Sequence, residues 1–203
     1  MSKKPVIVFE GIEGTGKSYH IANVARYLKK KKIDFIQIRE PGGCPSAEKI
    51  RKLILDDKSN FHKNTDLLLY MAARSENIQI LKKNYKKKII LIDRFIDSTI
   101  AYQHFGFNVN MKFINIINNH LLKNFRIDFT FLNTVNKSNM SKRLKLRKLL
   151  NRYDKFNKDF YQKVQKGFIS LSKKNKKKYL IINSNLDIDK NKSIIINKIN
   201  KLI

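Results

Sequence analysis

The sequence predicts an α/β fold in which a five-stranded parallel sheet lies between layers of helices. Three observations lead there. Five short apolar runs along the 203 residues alternate with stretches whose apolar residues recur at helical spacing. The first run passes through a glycine-rich loop straight into a helical pattern. The second and third runs end in Arg39-Glu40-Pro41-Gly42-Gly43 and Asp93-Arg94, at the carboxyl ends where open α/β sheets hold ligands. Strands that alternate with helices pair in parallel, with helices on both faces.

Val6 to Phe9 is apolar and β-branched, as a buried strand requires. Gly11, Ile12, Glu13, Gly14, Thr15, Gly16, Lys17 and Ser18 follow, matching the phosphate-binding loop pattern without a mismatch. Glycines let backbone N–H groups turn inward around phosphate oxygens, and the helix that follows adds its positive end. Lys17 can reach the β- and γ-phosphates, and the Ser18 hydroxyl can ligate Mg²⁺. The plainer reading is a chance glycine turn, but three glycines within six residues are hard to dismiss in a chain with only 7. The helix itself is marked by Ile21, Val24, Ala25 and Leu28.

Asp34 to Arg39 is a second strand and Ala47 to Leu55 a helix carrying Arg51. Thr65 to Leu81 is a longer helix on which Tyr70 and Arg74, four apart, share a face. An aromatic ring and a guanidinium so placed can stack on a base and hold its edge, although a core tyrosine beside a surface arginine has the same pattern. Lys88 to Ile92 is the third strand. Asp93 at its end suits a second Mg²⁺-organising position, and Arg94 can clamp a phosphoryl group. Ser98, Thr99, Tyr102 and Gln103 cluster hydrogen-bonding groups one turn apart on a helix. Phe113 to Leu122 is helical and Asp128 to Leu132 the fourth strand. The basic segment from 136 to 152, with Lys142, Arg143, Lys145, Arg147, Lys148 and Arg152, reads as a cationic lid. Arg143 and Arg147 are expected one helical turn apart and facing alike. A helix over Phe156 to Leu171, a fifth strand over Tyr179 to Ile182 and a helix over Asp189 to Ile203 complete a single domain spanning 1–203.

Composition narrows the function. With 42% apolar residues and no apolar run near the ~18 residues of a membrane span, the chain reads as globular with no membrane role. No signal peptide is legible, and the lone Cys44 allows no internal disulfide, which suits a reducing, cytoplasmic setting. The net charge of +28 invites a nucleic-acid reading. The Lys clusters 29–32, 86–88 and 173–178 fall at element ends, not along one stripe, so solvated faces are the better account and no specific nucleic-acid partner is expected. Arginine is more selective: 9 Arg stand against 35 Lys, and seven of the nine lie in the segments above. The four His, at 20, 62, 104 and 120, have no metal-like spacing.

F-E-G-I-E-G-T-G-K-S, R-E-P-G-G, A-A-R at 72–74 and D-R-F-I-D-S-T-I-A-Y-Q at 93–103, in that order and spacing, resemble the bacterial thymidylate kinases over nearly the whole chain. The resemblance implies a three-layer P-loop kinase fold and a cytoplasmic homodimer. The implied enzyme moves the γ-phosphoryl group of ATP to dTMP with Mg²⁺, yielding dTDP for dTTP synthesis. It implies that Gly11 to Ser18 hold ATP phosphates, with Glu13 near the acceptor sugar or metal. Arg39, Glu40, Pro41 and Arg51 would border the acceptor site. Tyr70 would stack on thymine, Arg74 contact its edge, and Thr99 and Gln103 help read it, with Ser98 also in the dTMP site. Arg94 would hold the acceptor phosphate, and Tyr102 would crowd the sugar's 2′ side. Arg143, Arg147 and Arg152 match a lid that supplies catalytic arginine, with Ser18 and Asp93 the expected metal positions. Departures from the family pattern are Tyr70 where Phe is usual, L-N-T-V for L-D-V at Asn133 and Thr134, Asp154 for a lid Glu, and a Lys-rich lid. Rival readings are a kinase of another nucleotide and, from the charge, a nucleic-acid-stimulated P-loop ATPase.

Overall fold

The computed structural model describes residues 4–147 and 151–203. Five parallel strands form one sheet: β1 (Val6–Glu10), β2 (Phe35–Arg39), β3 (Ile89–Asp93), β4 (Phe129–Thr134) and β5 (Tyr179–Asn183), in the order β2-β3-β1-β4-β5. The strand that feeds the glycine loop is therefore central, paired with β3 on one side and β4 on the other. All of β1 is buried, as a strand covered on both faces must be.

The period-2 alternation of β1 divides the core. Ile7 and Phe9 point to the face covered by α1 (Lys17–Lys30) and α8 (Ile188–Leu202), where they meet Val24, Leu28, Ile195 and Ile199. Val6 and Val8 point to the other face, against Ile78 and Leu81 of α3 (Lys63–Asn84) and Leu122 of α5 (Met111–Leu122). α2 (Pro45–Leu55) packs on α3. The Lys clusters fall at the end of α1, before β3 and at the end of α7 (Lys158–Lys174), as expected.

Two local features depart from the sequence reading. The helix expected over 98–103 begins as a short α4 (Ile96–Thr99) and continues as a π-helix, Ile100–Gly106. Phe107 N–H closes the wide turn on the Tyr102 carbonyl at 2.9 Å. The π segment lies against α7 at close range. A Cβ on Gly106 would come within 2.7 Å of the Phe160 ring, and one on Gly167 within 2.6 Å of Phe105. The lid is not one continuous helix. α6 (Lys137–Lys145) ends at a cap on Leu146, and a 3₁₀ turn, Arg152–Lys155, follows. Lys148 lies outside the described residues.

Candidate active site

At the carboxyl ends of β1 and β3 the chain forms a deep cleft. Its floor is the glycine loop. Gly11 must be glycine, because a Cβ there would lie 2.1 Å from the Asn133 carbonyl oxygen. Asn133, one of the two positions at which the family's acid is missing, is thus packed directly beneath the loop, fully buried. Lys17 folds back on the loop, donating to the carbonyls of Gly11 at 2.8 Å and Ile12 at 2.9 Å. Burial and then the charge of Arg94 push its ammonium down to about 7. An arriving phosphate reverses both influences, since it adds negative charge where the amine was desolvated.

Arg94 adopts a left-handed backbone, φ 65°, a conformation that costs a non-glycine residue energy and is kept where it aims a side chain. Its guanidinium donates to the Gly11 carbonyl at 2.8 Å and the Glu13 carboxylate at 2.7 Å. Tyr102 donates its hydroxyl to the other Glu13 oxygen. Burial works to raise the Glu13 carboxyl, but Arg94, Lys17 and Tyr102 outweigh it and hold it below its usual value. Burial likewise opposes the charge on Arg94, yet Glu13 and the neighbouring acids keep its pKa well above the ordinary one. Asp93 Oδ1 is buried and, among the described residues, has no hydrogen-bond partner. With the Ser18 hydroxyl in the same cleft, this free oxygen fits the expected metal position. Mg²⁺ takes one or two protein ligands, with substrate phosphates and water completing its shell.

Beneath this floor Glu10, ending β1, binds the turn after β3. It accepts from Phe95 N–H at 2.8 Å and from the Ser98 hydroxyl at 2.5 Å. Burial, reinforced by Asp97, pushes its carboxyl up to about 7. The sequence reading gave Glu10 no role, although an acid ending an apolar strand was the very signal used for Asp93.

The far wall is a buried polar network. Arg74, 1% exposed, donates Nε to Glu40 at 2.8 Å, Nη1 to Asn118 at 2.6 Å and Nη2 to the Thr99 hydroxyl at 2.9 Å. Glu40, raised by burial despite Arg74, begins the Glu40-Pro41 cis peptide. Arg51 donates to the Pro41 carbonyl at 2.5 Å, and the more exposed Arg39 pairs with Glu48 at 3.0 Å. Tyr70 meets Tyr153 edge-on, ring centroids 6.1 Å apart. Gln103 Nε2 donates to Asp66, while its Oε1 is buried without a hydrogen-bond partner among the described residues. All the acceptor-side candidates from Arg39 to Gln103 line this one cleft, and Arg147 joins them.

The lid arginines do not share a face. The helix stops at Lys145, so the one-turn relation expected of Arg143 and Arg147 is lost. Arg143 turns to a second cleft on the opposite side of the loop, donating to the carbonyls of Gly14 at 2.8 Å and Ser184 at 2.7 Å. Arg147 points into the first cleft and pairs with Asp154 at 2.5 Å. Arg152 reaches neither and binds Asp66. The second cleft is lined by Thr15, Gly16, His20, Arg143, Ser184 and Leu186 of the β5–α8 loop, and Ile188 at the start of α8. That loop carries no motif, so sequence reasoning missed it. His20, one of the four His without metal-like spacing, is buried, and among the described residues its Nδ1 has no hydrogen-bond partner.

The thymidylate kinase family model matches residues 9–195. A thymidylate kinase of Acholeplasma laidlawii is 38% identical over 96% of this chain and 98% of its own length. One of Mycoplasma capricolum is 38% identical over 90% of this chain and 88% of its own. The crystal structure of thymidylate kinase from Ehrlichia chaffeensis superimposes with a TM-score of 0.77 at 29% identity, covering 97% of this chain and 98% of that one. Sheet, glycine loop and matched sequence agree: the chain belongs to the thymidylate kinase family.

Proposed function

We propose that this chain carries out its family's reaction, moving the γ-phosphoryl group of ATP to dTMP, in the two clefts that meet at the glycine loop. The observation that carries the reading is their junction. Lys17, Arg94 and Arg147 converge on one cleft whose far wall is the Arg74, Thr99 and Gln103 network.

In this reading Gly11 to Ser18 hold the donor phosphates, and the second cleft takes the donor base. Arg74, Thr99 and Gln103 face thymine, with Tyr70 against its ring. Glu13 and Tyr102 border the sugar, and Arg39, Arg51 and Arg94 neutralise the acceptor phosphate. Ser18 and Asp93 would hold Mg²⁺, which when bound supplies charge neutralisation at the β- and γ-phosphates. An acceptor phosphate oxygen attacks the γ-phosphorus in line, and the bond to the bridging oxygen of ADP breaks. The acceptor is already anionic, so no strong base is required. Little covalent work falls to the protein, whose side chains position both nucleotides and offset charge on the transferred group. Lys17, Arg94 and Arg147 do so directly. Arg143, tied to two backbone carbonyls, shapes the donor side. Closure of the 136–152 lid excludes water.

The single-domain kinase is further proposed to be cytoplasmic and homodimeric. Leu68, Ile80, Phe113 and Ile116 of α3 and α5 are exposed apolar side chains that a second copy would cover. Among the described residues, no helix is long and apolar enough to cross a membrane. The nucleic-acid-stimulated ATPase is not favoured by the family match. A coupled assay with ATP, Mg²⁺ and a panel of dTMP, dUMP, dGMP, CMP and thymidine decides. Strong preference for dTMP is expected. Turnover of no monophosphate, with ATP hydrolysis stimulated by DNA, would overturn the reading.

A further inference from the structure

We propose that Asp66 is a positioning residue that sets which end of the Gln103 amide faces the acceptor base and, through the same carboxylate, holds the lid turn whose Asp154 pairs with Arg147. Asp66 lies in the first turn of α3 and is only 2% exposed. Its Oδ2 accepts from Gln103 Nε2 at 3.2 Å and from the Tyr153 hydroxyl at 2.6 Å. Its Oδ1 takes the Arg152 guanidinium, which also lies over the rings of Phe61 and Tyr153. One buried carboxylate therefore ties a base-facing side chain to two residues of the 3₁₀ turn.

The chemistry follows from what each group can donate. A carboxylate paired with arginine only accepts. Gln103 must then turn its NH₂ end to Asp66, which leaves Oε1 as the end without a partner. Oε1 accepts and cannot donate. It complements the N3–H of thymine and opposes the bare N3 of cytosine. Asp66, which lines neither cleft, thereby acts on base choice through another residue. On its other side the tie extends to Arg147. Asp154, in the turn held by Asp66, takes Arg147 Nη1 at 2.5 Å and caps its own turn on Asn151 N–H at 3.1 Å. A base that fits Gln103 and an arginine that meets phosphate are thus positioned from one anchor.

This rests on the thymidylate reading of the cleft. The test is the ratio of kcat/KM on dTMP to that on dCMP, with Mg²⁺ and ATP saturating. Asp66→Asn can donate as well as accept, so Gln103 is free to present either end, and the ratio should fall by about tenfold or more, the order of one hydrogen bond. Asp66→Glu remains acceptor-only and should keep the ratio, even if its kcat drops. Arg152→Gln should lower kcat by about tenfold while the ratio holds. If Asp66→Asn does not fold, Asp66→Ser, whose hydroxyl can also donate, carries the same expectation. A ratio unchanged in the Asn or Ser variant, with only a lowered melting temperature, overturns the proposal, as does an Arg152→Gln variant with wild-type kcat. A wild-type chain that turns over no dTMP sinks the thymidylate reading itself, a result distinct from either.

Discussion

The two clefts that share the glycine loop are made of different parts. On the acceptor side most of the buried ties run between side chains, Arg74 with Glu40, Asn118 and Thr99 and Arg94 with Glu13, although Arg94 and Arg51 each also reach a backbone carbonyl. On the donor side, side chains bind backbone. Arg143 rests on two carbonyls, and the Ser184 hydroxyl donates to the Thr15 carbonyl at 2.8 Å. Leu186 and Ile188 there are about half exposed. The difference fits the tasks. Choosing one base among several requires fixed donors and acceptors that penalise the wrong partner. Holding phosphates requires N–H groups, which every residue type except proline supplies.

If that contrast is right, substitutions should cost most on the acceptor side. Arg94→Ala should lower kcat by about 10³-fold or more, and Arg94→Lys should recover little, because a point charge cannot replace a fork held on Gly11 and Glu13. Steady-state kinetics at saturating nucleotides reads this directly. Arg74→Leu strands the Glu40 charge in a buried wall and should cost about 3–5 kcal/mol in denaturant unfolding. The same substitution on the donor side, Arg143→Leu, should be milder, since its partners are two neutral carbonyls and no charge is stranded. It should raise KM for ATP by about tenfold, with dTMP KM near wild type. A donor-side variant as damaging as Arg74→Leu would contradict the contrast.

Glu10 offers a pH test of the floor the clefts share. Its folded pKa of about 7 lies above its ordinary 4.5, so between those values the native state binds more protons than the unfolded chain. Stability from this group is complete below pH 4.5 and is lost as pH rises through 7, by about 3 kcal/mol at the limit. Melting curves of Glu10→Gln, which keeps an acceptor for Phe95 N–H, should decline less than wild type across that window. Smallest of all should be Leu186→Ala, under about 1 kcal/mol, because the side chain already meets water.

The strands were legible because a buried parallel sheet demands apolar runs, and each expected strand lies within two residues of the observed one. The glycine loop and the R-E-P-G-G and D-R turns were legible because their chemistry is local. What depended on distant packing was not. Nothing in spacing says that the helix with Arg143 ends at Lys145, and that end alone sends Arg143 and Arg147 into different clefts. Asp66 gave no signal because its three partners lie 37, 86 and 87 residues away along the chain. The donor-side loop was silent for the opposite reason: backbone contacts leave side-chain identity nearly free.

The π-helix at Ile100–Gly106 makes chain length itself a property of the site. A wide turn accommodates one more residue per turn than an α-helix does while keeping the backbone hydrogen-bonded. Removing one residue between 100 and 106 would restore the narrower coil and rotate everything beyond it by about 100°. Gly106 and Phe105 would leave their seats against α7, and Gln103 would turn from Asp66. Along this stretch the number of residues shapes the pocket as much as their identity does.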